Sequence, residues 1–195
     1  NLPYDVAVDG SGNVYVGDRS NHLIRKITPE GVVTTLAGSG SQGSTNGTGT
    51  AASFNWPWGV AVDDSGNVYV ADILNHLIRK ITSGGVVTTL AGSASSGSAN
   101  GTGTAASFNL PYGVAVDGSG NVYVADKDSH KIRKITSLGV VTTLAGTGDH
   151  DFADGTGTAA KFRGPQGVAV DGSGNVYVGD SGNHMIRKIA TTLAS

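Results

Sequence analysis

The chain has 195 residues, 31 of them Gly, with 13 Lys and Arg against 15 Asp and Glu for a formal net charge of −2. A surface this close to neutral argues against nucleic acid as a main partner, and no apolar run reaches the roughly 20 residues that a membrane-spanning helix needs. Cysteine is absent, which removes disulfides, thiolate metal sites and cysteine nucleophiles together.

The first 54 residues read as four short strands. Val6–Asp9 is closed by a Gly10-Ser11-Gly12 turn, and Asn13–Asp18 alternates β-branched and aromatic residues. His22–Thr28 follows, then a Pro29-Glu30-Gly31 turn and Val32–Ala37. A stretch rich in Gly, Ser, Thr and Asn completes the unit, with Ala51–Phe54 as one helical turn. The unit then recurs. VAVD starts at Val6, Val60, Val114 and Val168, and GNVYV at Gly12, Gly66, Gly120 and Gly174, always 54 residues apart. Residues 55–108 and 109–162 agree at 38 of 54 positions. Repetition on this scale sets the fold.

Strands at such tight spacing form an antiparallel meander, and both faces of each meander carry apolar residues: Val14 and Val16 on one, Tyr15 on the other. Each sheet must therefore lie between its neighbours. The expected fold is an all-β propeller of four blades in one domain, 1–195, preferred over a solenoid because the long connection suits a return from rim to axis. The blades span about 1–54, 55–108, 109–162 and 163–195. In the last, Ala190–Ala194 stands where the third copy has Thr136–Ala145, so that blade lacks its outer strand. The expectation is a monomeric ring closed by packing between blades, weakest where blade four meets blade one, or a homo-oligomer formed through the blade-four edge.

The segments PYGVAVDGSGNVYVAD (111–126) and NHLIRKIT (75–82), with GVVTTLAG and NGTGTAASF after them, resemble the NHL repeat. That resemblance covers essentially the whole chain. It implies a propeller, usually of six blades, that binds protein, RNA or a small ligand, with lyase activity in a few members.

Among the repeated polar residues, Asp18, Asp72, Asp126 and Asp180 close the second strands, and His22, His76, His130 and His184 open the third. They are expected to bond each other and the intervening turn as a structural network. The four His stand at least about 14 Å apart in such a ring, too far to share a metal. Asp9, Asp63, Asp117 and Asp171 read as turn formers. The Arg-Lys pairs at 25–26, 79–80, 133–134 and 187–188 read as a solvated rim.

Positions that the repeat leaves free carry more functional information. Tyr4, Trp58, Tyr112 and Gln166 precede the inner strands, while Trp56, Ile73 and Leu74 stand on the same face of the disc. Aromatic rings there fit a binding surface for protein, peptide or glycan, or plugs over the core. No metal or organic cofactor is expected, with calcium at Asp149, Asp151 and Asp154 a minor alternative. The expected function is a non-catalytic binding or scaffold module. A metal-dependent lyase is the runner-up, although Asp5 is the sole unique axial acid, and a duplicated or designed ring with no ligand is the third reading. Few lysines, no cysteine and loops rich in Gly, Ser and Thr are compatible with an exported bacterial protein.

Overall fold

A computed structural model describes residues 1–191 of the chain. Blade one contains β1 (Pro3–Val8), β2 (Val14–Asp18), β3 (Leu23–Ile27) and β4 (Val33–Ala37). Blade two adds β5 (Gly47–Thr48) to β6 (Pro57–Val62), β7 (Val68–Asp72), β8 (Leu77–Ile81) and β9 (Val86–Ala91). Blade three repeats this with β10 (Gly101–Thr102), β11 (Pro111–Val116), β12 (Val122–Asp126), β13 (Lys131–Ile135) and β14 (Val140–Ala145). Among the described residues, blade four has three strands, β15 (Gly167–Val170), β16 (Val176–Asp180) and β17 (Met185–Ile189). All pairings between these strands are antiparallel and in sequence order, except that β5 and β10 attach outside β9 and β14; isolated parallel bridges join Gln42 to Phe54, Ser96 to Phe108 and His150 to Phe162 within the linkers. These two-residue strands were not expected. Each belongs to the connection from the previous blade, so the linker becomes a fifth strand of the blade it enters.

The strands form where predicted because each hairpin is fixed by its own turn. In the first, Asp9 accepts from the backbone N–H of Ser11 and Asn13 through one oxygen, and from the Asn13 amide and Tyr15 hydroxyl through the other. Gly12, at φ 82°, closes it in a conformation that disfavours any side chain. The same bonds recur around Asp63, Asp117 and Asp171. The helical segments among the described residues are three-residue 3₁₀ turns; one covers Gly49–Ala51 rather than the expected Ala51–Phe54, and Phe54 beyond it is extended and buried.

Three internal seams hold the blades together. In the first, Tyr15, Ile24 and Ala37 of blade one meet Val60, Val68, Val70, Ile81 and Val87 of blade two, with Phe54 of the linker wedged between. Phe108 and Phe162 fill the same place in the other two. Each blade thus has a leading face of valines and isoleucine and a trailing face of tyrosine, isoleucine and alanine.

Blade four does not pack on blade one, so the closed ring expected from the repeats is corrected to an open arc. Ile24, Ile78 and Ile132 are fully buried, whereas the equivalent Ile186 is 79% exposed. Val60 and Val114 are 3% and 5% exposed, whereas Val6 is 59% exposed. A cavity of about 580 Å³ runs along β17 beside Phe152, Phe162 and Ile186, where the other blades carry an outer strand. The sequence expectation for Thr192–Ala194 falls outside the described residues.

The Arg-Lys pairs are a second correction, because only the lysines reach the rim. Lys26, Lys80, Lys134 and Lys188 each lie 5.6 Å from the centre of a tyrosine ring. The arginines turn inward, and Arg79 and Arg133 are fully buried. Arg79 donates to Asp72 at 2.9 Å, to the carbonyls of Ser53 and Thr45 at 3.1 Å, and to Asn46 Oδ1 at 2.8 Å. Asp72 also accepts from the Asn55 N–H at 2.7 Å and from the Asn75 amide at 2.8 Å. Strand, turn and linker are tied at one buried ion pair. Among the described residues Arg25 meets no linker group; it is half-buried, lies 3.8 Å from Asp18 and donates from Nε to the Thr34 carbonyl at 3.2 Å. Arg79→Ala strands a buried carboxylate and is expected to lower unfolding free energy by about 3–5 kcal/mol. Arg25→Ala is expected to lower it by less than about 1 kcal/mol. Urea denaturation of the two variants checks the contrast, and equal losses would contradict it.

Candidate functional site: the aromatic face at the axis

Each inner strand is approached through an x-Pro-x segment whose first residue is left-handed: φ is 53° at Leu2, 60° at Trp56, 51° at Leu110 and 54° at Gly164. Three of these residues donate their N–H to a histidine of the preceding blade. The Trp56 N–H reaches His22 Nδ1 at 3.3 Å, Leu110 reaches His76 at 3.2 Å, and Gly164 reaches His130 at 3.1 Å. The expected bond between Asp and His within a repeat is not made. The aspartates bind the arginine and the linker, and the histidines latch one blade to the next.

The residue after each proline faces the axis mouth. Tyr4 stacks on Trp58 with ring centres 3.8 Å apart, and Trp58 meets Tyr112 at 4.7 Å, so three blades contribute one continuous ladder of rings. Such close approach near the axis requires glycine behind the rings. A Cβ on Gly59 would collide with the Tyr112 carbonyl, and one on Gly113 with that of Gln166. Gln166 joins Tyr4, Asp5 and Trp58 around a cavity of about 250 Å³. Trp56 and Leu74 are exposed beside the ladder, but Ile73 is 2% exposed and belongs to the packing rather than to the face.

Cations complete the face. The Arg19 guanidinium lies 3.7 Å from the Trp56 ring centre, 5.1 Å from Tyr4 and 5.2 Å from Trp58. Lys127 lies 5.0 Å from Tyr112. Both residues sit in the variable turn between second and third strands, and that variation was the available signal. Asp5 is tied to the backbone: its two oxygens accept from Val6 N–H at 2.9 Å and Val60 N–H at 3.1 Å. Burial nonetheless holds its carboxyl above the ordinary range.

The acidic loop of blade three divides its charges between two cations. Asp149 and Asp151 lie 3.2 Å and 3.5 Å from Lys161, and Asp154 lies 2.7 Å from Arg187. Among the described residues, no three His, Asp or Glu side chains are gathered as a metal site.

The sequence profile of the NHL repeat matches residues 1–27, 54–81, 108–135 and 162–189. Suppressor of quenching 1, a chloroplastic protein of Arabidopsis thaliana, is 30% identical over 203 residues, covering 97% of this chain and 19% of that protein. A protein of unknown function from Bacteroides thetaiotaomicron superposes with a TM-score of 0.79 at 27% identity, over 95% of this chain and 46% of its own. An auxiliary nutrient binding protein from Bacteroides ovatus superposes with a TM-score of 0.73 at 24% identity, over 96% of this chain and 48% of its own, which is a likeness of fold. The chain thus spans less than half the length of each of these proteins.

The latch makes stability depend on neutral histidine. Burial lowers the His76 and His130 imidazoles below their usual value. A depressed imidazole contributes stability above its free value near about 6.5, and that contribution is lost as pH falls through the folded value. Asn at position 76 offers an acceptor that does not titrate and tolerates the left-handed φ of 55°. Thermal melts of wild type and His76→Asn are expected to agree at pH 7.5 and to diverge at pH 5, with wild type the less stable. Buried aspartates are common to both proteins, so their titration cancels. Parallel behaviour at the two pH values would contradict the latch.

Proposed function

The chain belongs to the NHL repeat family, and on that premise we propose that it is a non-catalytic binding module whose ligand docks on the face of Tyr4, Trp56, Trp58, Tyr112 and Gln166. The ladder from Tyr4 through Trp58 to Tyr112, flanked by Arg19 and Lys127, carries this reading. Repeats dictate the strands and turns, but they do not dictate these side chains, which differ between blades. Rings with polar edges beside cations supply broad contact area at small entropic cost, which suits a protein, peptide or glycan.

The lyase alternative needs an unengaged acid or a metal at the axis, and Asp5 already accepts two backbone N–H groups. A binding role is consistent with the fold neighbour described as a nutrient binding protein.

Both tryptophans of the chain, Trp56 and Trp58, lie on the proposed face, so selectively excited tryptophan emission reports on that surface alone. Titration with a panel of short oligosaccharides and peptides is expected to give a saturable change with at least one member. Trp58→Ala is expected to weaken that interaction at least ten-fold, by about 1.4 kcal/mol or more, with little change in melting temperature. Silence across the panel, or unchanged binding by Trp58→Ala, would count against this face.

A further inference from the structure

The two faces left open by the arc are the two halves of a seam already present three times in the molecule. Blade four presents Ala169, Tyr177 and Ile186, the same residue types as Ala7, Tyr15 and Ile24 on the trailing face of blade one. Blade one presents Val6, Val8, Val14, Val16, Ile27 and Val33. The leading face of blade two has the same type at every one of these positions: Val60, Val62, Val68, Val70, Ile81 and Val87. Val6, Val8, Val33, Tyr177 and Ile186 are all exposed, and exposed apolar surface of this extent marks an interaction site.

The latch is split in the same way. His184 opens β17 in the left-handed conformation of the other three histidines, at φ 56°, and is exposed. Among the described residues no N–H reaches it. Its complement is the N–H of Leu2, held at the left-handed φ of 53° that Trp56, Leu110 and Gly164 adopt when they donate to histidine.

We propose that the open faces dock a second copy of this chain head to tail, blade four of one copy against blade one of the next. The new seam buries Ile186 and Tyr177 against Val6, Val8 and Val33, and Leu2 donates its N–H to His184 Nδ1 of the adjoining copy. The contact is heterologous, because the two surfaces differ and each chain carries one of each. Two copies joined twice in this manner supply eight blades, within the range that propellers close. The contact joins separate chains, so it depends on concentration.

Light scattering coupled to size exclusion tests the proposal with the intact chain, whose monomer mass is 19.6 kDa. Wild type is expected at twice that mass or more at high micromolar concentration. Val6→Glu disables the leading face and Ile186→Glu the trailing face. Both positions are exposed, so both variants are expected to fold, with circular dichroism spectra and melting temperatures like those of dilute wild type. Each alone is expected to be monomeric. Mixed together, they retain one intact face of each kind and are expected to form a one-to-one heterodimer. A wild type that stays at 19.6 kDa, an oligomer that survives either substitution, or a mixture that remains monomeric would overturn the proposal.

Discussion

The guanidinium of Arg79, with its counterpart Arg133, sits fully out of solvent, an arrangement whose desolvation is offset only through its hydrogen bonds; both terminal nitrogens of Arg79 find partners, while the Nε of each arginine has none among the described residues. Four of its contacts are met by one carboxylate, two linker carbonyls and one linker amide oxygen. Burial pushes the Asp72 carboxyl up to about 6, against the pull of Asn75, the Asn55 N–H and Arg79 itself. A Gly- and Ser-rich linker with little apolar surface has no other strong reason to adopt one path across the blade. Fixing that path places Phe54 in the seam and delivers the following x-Pro-x segment to the histidine of the preceding blade.

From this one anchor the rest of the molecule follows by repetition. The linker's end sets where the inner strands of blades two to four start, and hence where Trp58, Tyr112 and Gln166 stand around the axis, with Tyr4 stacked on Trp58. Because successive inner strands approach within backbone contact at Gly59 and Gly113, the rings they carry stack rather than splay. The proposed face is variable in sequence yet fixed in geometry, as a binding surface on a repeat scaffold would be. The same repetition explains the exposed ends of the arc: every blade is built with two unlike faces, and the outermost two have no neighbour within the chain.

Blade number, strand order and hairpin turns were legible in the sequence because they rest on local patterns. VAVD, GNVYV and the turn aspartates act within a few residues of themselves. The inward arginines were not legible. Alternation in Arg79-Lys80 shows that the two side chains point to opposite faces, but the partners that draw Arg79 inside lie 26 and 34 residues away. The β5 and β10 strands escaped for a similar reason, being two residues of Gly-Thr whose pairing depends on that anchored path. Position before the inner strands was enough to bring Tyr4, Trp58 and Tyr112 together, whereas Ile73 is buried because its turn folds back onto the core. Arc closure depends on the angle between blades, and no residue pattern encodes that angle directly.

If the buried ion pair anchors the linker, its removal must loosen the linker before it loosens the blade. Hydrogen exchange in Arg133→Met measures this directly, since the Arg133 fork spans the carbonyls of Ser107 and Ala99 and the Asn100 side chain. The account predicts that residues 97–109 exchange at least ten-fold faster than in wild type while the Val122–Asp126 strand keeps its protection. An equal rise in both segments would show that the pair supports the blade as a whole and does not hold the linker in particular.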